Sequence, residues 1–487
     1  MVTEDFILLT DDSLALHTDA YQINMIYTYW KQGIDQTPVV FEAYFRKMPF
    51  HSGYAIFGGL ERIIKTLQKL HFSNDDIVYL NSLKLYDNEF LTYLKNWRLQ
   101  STIRAAREGE VMFNNEPLLQ VDGPLIDAQL LETLLLNVIN FQTLIATKAA
   151  RIASVTAGQP LLEFGTRRAQ ELDAALWGTR AAFIAGFDAT SNVRAGKLFN
   201  IPIAGTHAHA LVQAYGNDYD AFHAYATTHK NVVFLVDTFD TLKSGVPNAI
   251  KVAKEFGDKI NFQGVRIDSG DMAYLSKEIR KSLDKAGFPH AKIYASNDLD
   301  ENTILNLKIQ GAKIDVWGIG TKLITAYDQP ALGAVYKMVS INGNNTIKLS
   351  NNVGKISTPG KKQIWRITDR KDGKSEGDYL TFYGEDPNNS DSLDMFDPNH
   401  PVISKTVRDF VAKPILHDIF VNGQLVYDLP DVFAIKEFSK RSLGSLWDEY
   451  KRILNPQTYP VDLAQDLYDA KINLIHKIRK DIMEMDR

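Results

Sequence analysis

Cysteine is absent from all 487 residues. That excludes disulfides, thiolate zinc centres and a cysteine nucleophile, and leaves the redox compartment open. Excess positive charge is lacking too. The formal net charge is −5, so no overall basic field draws the chain to nucleic acid or to an anionic membrane. Any anionic ligand must be met by local cations and backbone dipoles. Nor is there a long hydrophobic run. The greasiest stretch, residues 124–152, is interrupted by Asp127, Glu132, Asn137, Asn140 and Gln142. It falls short of the ~18 uninterrupted apolar residues of a membrane span and reads as a buried core helix with Pro124 at its start. The opening "MVTEDFILLTDD" is acidic, with an apolar run too short for a signal peptide. No GxGxxG follows the first strand and no GxxxxGK[ST] occurs anywhere, so Rossmann and P-loop readings fail. A soluble, cytoplasmic protein is the expectation.

What is present is ample apolar material, 45% of residues, enough for two or three domains because single cores rarely exceed roughly 250–300 residues. Residues 1–140 mix apolar strands ("TPVVFEAYFRKMP") and helices ("YAIFGGLERIIKTLQKL") in no simple order. Over 141–345 short apolar runs recur: "PLLEFG", "IPIAG", "NVVFLVD", "FQGVRID", "AKIYASND", "IDVWGIG" and "GAVYKMVS". Helical periodicity fills most gaps between them. Strands alternating with helices imply parallel pairing with crossovers, and seven or so units suggest a (β/α) barrel. The fold class expected is therefore α/β: an irregular (β/α) barrel beside a mixed α+β N-terminal domain. Residues 346–487 read as strands with turns, a polar loop "GEDPNNSDSLDMFDPNHP" and an amphipathic closing helix, packing back on the N-terminal part.

The polar residues of the barrel units cluster where barrel chemistry occurs. The runs end in Glu163 and Arg167, His207 and His209, Asp237 and Asp240, Arg266 and Asp268, Asn297 and Asp298, and Gly320 and Thr321. The C-terminal rim of a barrel is its active-site face, although any single Asp or Asn there could simply cap the next helix.

"GTHAH" (205–209) has three readings: a metal pair, an acid–base or nucleophilic histidine, or hydrogen-bonded loop residues. A zinc site needs further ligands on later strands, and none of the other nine histidines falls at a barrel strand end. A protein-only transition-metal site is disfavoured. "VWGIGTKLI" (316–324) offers glycines and helix N–H groups to a phosphate, or is simply a tight turn. "ASNDLDENT" (295–303) suits phosphate or plain capping. In "EFGTRRAQ" (163–170) Arg167 and Arg168 can pair with carboxylate or phosphate, and Phe164 offers a ring face. "GVRIDSGDM" (264–272) sets Arg266 near Asp268 and Asp271, to hold Mg²⁺ with a polyphosphate, to bind sugar hydroxyls, or to form an ion pair. The mixture suits a phosphosugar plus a planar anion.

Ten ordered segments carry a family resemblance: "LHTDAYQINM", "VVFEAYFRKMPF", "ETLLLNVINFQTLIATKAARI", "EFGTRRAQ", "GTHAH", "FLVDTFDT", "GVRIDSGDM", "IYASNDLDE", "DVWGIGTKL" and "STPGKKQIWR". Together they resemble the nicotinate phosphoribosyltransferase family over roughly residues 14–366. The resemblance implies a cytoplasmic homodimer with shared active sites, in the service of NAD biosynthesis. Its reaction joins nicotinate to 5-phosphoribosyl 1-diphosphate (PRPP), with Mg²⁺ and with ATP as co-substrate through a phosphohistidine.

Matching positions assign the roles. Tyr21 and Phe164 would stack on the pyridine, and Arg167 would hold its carboxylate or a nearby phosphate. Arg46 would reach a diphosphate across the dimer. Asp268, with Arg266 beside it, would hold ribose hydroxyls or Mg²⁺. Gly320 and Thr321 would cradle the 5-phosphate, and Asp237 and Asn297 complete the rim. The family's Gly-Thr-x-x-His spacing selects His209 as the phosphohistidine and leaves His207 on a variable position. Ser191 falls where nicotinamide-specific relatives carry an aspartate, which would leave room for a carboxylate; Asp188 lies three residues away.

Overall fold

The computed structural model describes residues 13–350, 356–398 and 400–485; the acidic opening segment lies outside them. The chain forms two compact units, one of residues 145–330 and one of residues 1–144 with 331–487.

The 145–330 unit is the strand–helix region. Its order begins β1 (Leu161–Glu163), α1 (Glu171–Ile184), β2 (Ala189–Thr190), α2 (Val193–Phe199), α3 (His209–Tyr215) and α4 (Asp218–Thr228). It continues β3 (Asn231–Leu235), α5 (Val246–Phe256), β4 (Asn261–Ile267) and α6 (Met272–Ala286). It ends β5 (Lys292–Ala295), α7 (Glu301–Ile309), β6 (Val316–Ile319) and the single turn α8 (Thr321–Ile324). The six strands make one sheet, ordered β2-β1-β6-β5-β4-β3, with every pair parallel. Crossover helices bring each strand back in the same direction, so all C-terminal ends share one rim. The barrel is irregular because "IPIAG" supplies only a bridge, Ile203 to Thr190, instead of a full strand.

Strand interiors are apolar on both faces, as buried parallel sheets require: Val232, Phe234, Leu235, Val265, Ile267, Ile293 and Ile319 are all fully buried. Side-chain caps start three of the helices that leave the rim. Asn192 accepts from Ala195 N at 3.0 Å, Asp271 from Tyr274 N at 2.9 Å and Asp300 from Thr303 N at 2.7 Å. Each cap stabilises its helix by about 1 kcal/mol. Asp240 is spent likewise, accepting from Leu242 N and Lys243 N at 3.1 and 2.8 Å. Beneath them Glu301 is fully buried and neutralised by Lys148 at 2.8 Å and Arg151 at 2.9 Å.

The other unit is dominated by an antiparallel sheet. Its strands run 344–345, 334–341, 38–45, 119–124, 102–106, 416–421 and 424–425 in spatial order. The C-terminal segment thus joins the N-terminal sheet directly: Leu416–Val421 pairs with Thr102–Ala106, and the buried Arg104 donates to Leu416 O and Lys362 O, both at 3.3 Å. A second sheet holds 410–414, 362–369, 375–382 and 461–463.

Three expectations change. "GAVYKMVS" is no barrel strand; Ala334–Ile341 pairs antiparallel with Pro38–Phe45. An apolar β-branched run specifies a strand without specifying its sheet. The apolar stretch from Pro124 is two helices, Leu125–Leu130 and Glu132–Val155, instead of one; Pro124 does stand at the start, as the N-cap of the first, and also ends the strand Leu119–Pro124. The "polar loop" contains the strand Ser392–Asp397, paired with His400–Arg408, because Leu393 and Met395 alternate with acids and bury one face.

Candidate active site

Phe164, Arg167, Ser191, His209, Asp237, Arg266, Asp268, Asn297, Gly320 and Thr321 all stand at the C-terminal ends of the parallel strands or just beyond them. The centre is built around Arg266, near the end of β4. Its Nε donates to Ser296 Oγ at 2.9 Å, one Nη to Thr206 Oγ1 at 3.1 Å, and the other reaches Asp268 Oδ1 at 3.5 Å. The guanidinium lies 5.5 Å from the ring centroid of Phe164, within cation–π range. Ser296 Oγ also donates to Asp268 Oδ1, so one hydroxyl clamps both partners.

His209 opens α3. Its Nδ1 contacts Thr238 Oγ1 at 3.0 Å, and its Nε2 stands 3.8 Å from Asp268 Oδ2. The imidazole side chain keeps 39% of its surface exposed and Asp268 keeps 27%, so both remain open to a ligand. Asp237, after β3, accepts from Asp268 N at 2.9 Å and from Ser269 Oγ at 2.6 Å through Oδ2. Its Oδ1 is buried and has no hydrogen-bond partner among the described residues.

His207 is another matter. Its Nε2 accepts from Leu235 N at 3.1 Å and its Nδ1 faces Ala208 O at 3.4 Å. Phe222 and Tyr225 pack on the ring. Burial, with the Arg266 charge nearby, pushes the imidazole down to about 4. Both nitrogens are engaged within the fold, so His207 has no lone pair to lend a metal or a substrate. "GTHAH" carries one structural histidine and one available one.

The loop after β1 fixes the aromatic wall. Glu163 is buried and accepts from Gly165 N, from Thr179 Oγ1 at 2.9 Å and from Thr190 Oγ1 at 2.6 Å. Burial raises its pKa, partly offset by those hydrogen bonds. Phe164 N donates to Ile319 O at 2.7 Å, placing the ring over β6. Gly318 is required there, since a Cβ would lie 2.6 Å from the Phe164 ring. Gly320 abuts the Phe164 carbonyl, and Thr321 begins α8. Arg167 is exposed on the 3₁₀ turn Thr166–Arg168.

Ser191 and Asp188 fall at opposite ends of β2. Ser191 N donates to Glu163 O at 2.9 Å, on the rim side. Asp188 instead accepts from Leu161 N at 3.0 Å, at the start of β1. Asn297 is exposed, with φ of 106°, and its Oδ1 accepts from Asp298 N. That is a strained loop position for a non-glycine residue.

Tyr21 and Arg46 belong to the other unit. Tyr21 lies on the helix Ala20–Lys31, 49% exposed. Arg46 follows the strand Pro38–Phe45, its guanidinium 6.0 Å from the Tyr44 ring centroid.

Sequence reading missed Thr206, Thr238, Ser269 and Ser296, the hydroxyls that orient the charged groups. Each lies within three residues of a residue singled out, and that adjacency was the available signal.

A parallel strand–helix sheet whose C-terminal rim gathers arginine, carboxylates, an aromatic wall and an accessible histidine defines a barrel-type enzyme that handles anionic substrates. Family models agree over nearly the whole chain: the nicotinate phosphoribosyltransferase N-terminal domain over residues 16–140, the family itself over 160–376 and its C-terminal domain over 361–471. A nicotinate phosphoribosyltransferase of Bacillus subtilis (strain 168) is 56% identical over 478 residues, covering 97% of this chain and 98% of that protein. One from Dictyostelium discoideum is 38% identical, covering 94% and 88%. The crystal structure of human nicotinic acid phosphoribosyltransferase superposes with a TM-score of 0.83 at 30% identity, covering 94% of this chain and 99% of that one. The chain belongs to the nicotinate phosphoribosyltransferase family. Among the described residues no helix is long and apolar enough to cross a membrane.

Proposed function

We propose that the chain transfers the phosphoribosyl group of PRPP to nicotinate, coupled to ATP hydrolysis through phosphorylation of His209. The observation that carries this reading is the His209–Asp268–Arg266 constellation on the rim. In the transfer, the pyridine nitrogen forms a bond to ribose C1 as the bond from C1 to diphosphate breaks. Positive charge grows on the ribose and negative charge on the leaving group, so positioning and electrostatics do most of the work. Asp268 holds ribose hydroxyls, and Arg266 keeps Asp268 in place. Phe164 gives the ring a stacking face. Gly320 and Thr321 receive the 5-phosphate, while Arg167 serves the carboxylate or a nearby phosphate. Ser191 leaves space for the carboxylate, and Asp188 is occupied by the Leu161 backbone.

The Asp237 and Asp268 carboxylates fit Mg²⁺. Both are hard oxygen donors, and Asp237 Oδ1 is buried with no partner among the described residues. Two protein carboxylates, with substrate phosphates completing the shell, is how Mg²⁺ is commonly held. Bound there, the ion supplies charge neutralisation for the polyphosphate.

His209 is oriented for nucleophilic attack. With Nδ1–H donating to Thr238 Oγ1, the lone pair sits on Nε2, which attacks the γ-phosphorus of ATP and releases ADP. The phosphoryl group later passes to water. A homodimer, in which Arg46 reaches the diphosphate across the interface, completes the proposal.

The test is an assay with PRPP, Mg²⁺ and nicotinate or nicotinamide, with and without ATP. Diphosphate release with nicotinate, stimulated by ATP, is expected; preference for nicotinamide would overturn the acceptor assignment. His209→Ala should abolish ATP hydrolysis and acid-labile phosphate incorporation while keeping weak ATP-independent transfer. Phosphate incorporation surviving in that variant would remove His209 from its role.

A further inference from the structure

The unit formed by residues 1–144 and 331–487 contains a cavity of about 540 Å³. It is lined by residues of the strands Pro38–Phe45, Ser375–Phe382 and Val461–Leu463, and of the helix Gln465–Met485. Its size falls in the roughly 300–1,000 Å³ range of small-molecule sites. Leu380, Met395 and Leu463, all buried, give it apolar walls.

Most of the charged groups around it have close partners. Lys362 Nζ lies 2.9 Å from Glu42 Oε2 and donates to Thr358 O at 2.8 Å and Gly360 O at 2.7 Å. Lys405 pairs with Glu376 at 2.9 Å and Asp397 with His400 at 3.1 Å; burial pushes the Asp462 carboxyl up to about 6, which the Lys405 charge only partly offsets. Lys471 lacks such a partner. Its one hydrogen bond is a long one, to Thr358 Oγ1 at 3.4 Å, and no carboxylate pairs with it among the described residues. The charge felt most by its amine is that of Lys362, of like sign. On the same wall Ser357, 4% exposed, keeps a buried Oγ with no hydrogen-bond partner among the described residues.

A half-buried cation without a counter-charge is unfavourable, and a buried hydroxyl without a partner adds to the cost. One ligand answers both. We propose that this cavity binds a small organic acid, its carboxylate held by Lys471 and the Ser357 and Thr358 hydroxyls and its carbon body by Leu380, Met395 and Leu463. A carboxylate has two oxygens for these donors, and the apolar walls favour a carbon body over a bare inorganic ion. Burial, with Lys362 nearby, pushes the Lys471 amine down to about 8, as expected of a cation awaiting its partner.

The experiment uses the full chain carrying Arg167→Ala, so that the rim does not hold the probe's carboxylate. Cyclohexanecarboxylate binding is followed by saturation-transfer NMR, with inorganic phosphate as a separate arm. Saturable binding is expected, about tenfold or more weaker in Lys471→Met and unchanged in Arg46→Ala. No saturable binding, loss in Arg46→Ala, binding that survives Lys471→Met, or phosphate binding as tightly as the organic acid would each overturn the proposal. Thermal melting supplies the control. Lys471→Met removes an unmatched charge while keeping the volume of the stem, so it should melt at or above the wild-type temperature. A lower melting point would mean that Lys471 has a counter-charge in the fold, which also overturns the proposal.

Discussion

Each unit contains an arginine among carboxylates, and the two clusters behave oppositely. In the larger unit Arg366 meets Asp378 at 2.9 and 2.7 Å, Glu110 at 2.7 Å and Val111 O at 2.7 Å. Everything in that cluster is buried, and Tyr459 and Ser442 fill further valences of Asp378 and Glu110. On the rim Arg266 approaches Asp268 only to 3.5 Å and binds hydroxyls instead. Asp268 and His209 stay partly exposed. Charge in the buried cluster is saturated; charge on the rim is oriented by neutral neighbours and left open.

The largest test of this contrast is Arg366→Met. It strands the Asp378 and Glu110 carboxylates in the core and should cost about 3–5 kcal/mol of stability, measured by denaturant unfolding. A loss under 1 kcal/mol would show that the two clusters are energetically alike. Asp268→Asn should reverse the pattern: turnover lower by about 10²-fold, with stability within about 0.5 kcal/mol.

His207 tests the contrast inside one motif. His207→Leu leaves Leu235 N–H unsatisfied and should cost about 1–3 kcal/mol, whereas His207→Gln, whose amide oxygen can accept from it, should recover most of that. Acid-labile phosphate incorporation should persist in both. The pH profile carries the same information. An unfolded histidine titrates near about 6.5 and folded His207 near about 4. Between those values the unfolded chain takes up a proton that the folded chain refuses, so stability falls as pH drops through this window. His207→Gln should reduce the slope, leaving the part due to His417, which burial also holds down to about 4. The smallest effect belongs to Thr238→Val. Losing the hydrogen bond to His209 should slow phosphorylation by roughly fivefold, about 1 kcal/mol of orientation, with the melting temperature nearly unchanged.

Much of this was legible in the chain before any coordinates. The rim charges stood out because each follows an apolar run, and the run–helix alternation admits few sheets. What stayed hidden is short-range chemistry and long-range pairing. Thr206, Thr238 and Ser296 carry no periodic signal, since a hydroxyl at a strand end looks like any turn residue. His207 and His209 look alike until Leu235 N–H is seen to occupy one of them. The pairings of Ala334–Ile341 with Pro38–Phe45 and of Leu416–Val421 with Thr102–Ala106 join residues some three hundred positions apart, which no local pattern encodes.

That last topology has a consequence for how the protein is made. The 145–330 unit is one uninterrupted excursion of the chain, whereas the unit around it needs strands 334–341 and 416–421 to complete its main sheet. On a ribosome adding about 5–20 residues per second, the strand Leu416–Val421 emerges on the order of 5–20 s after Pro330. Throughout that interval the parallel sheet has all its strands, while Thr102–Ala106 still waits with an open hydrogen-bonding edge. The nascent chain is therefore most exposed to mispairing at its early strands, and it is there that a chaperone would be needed.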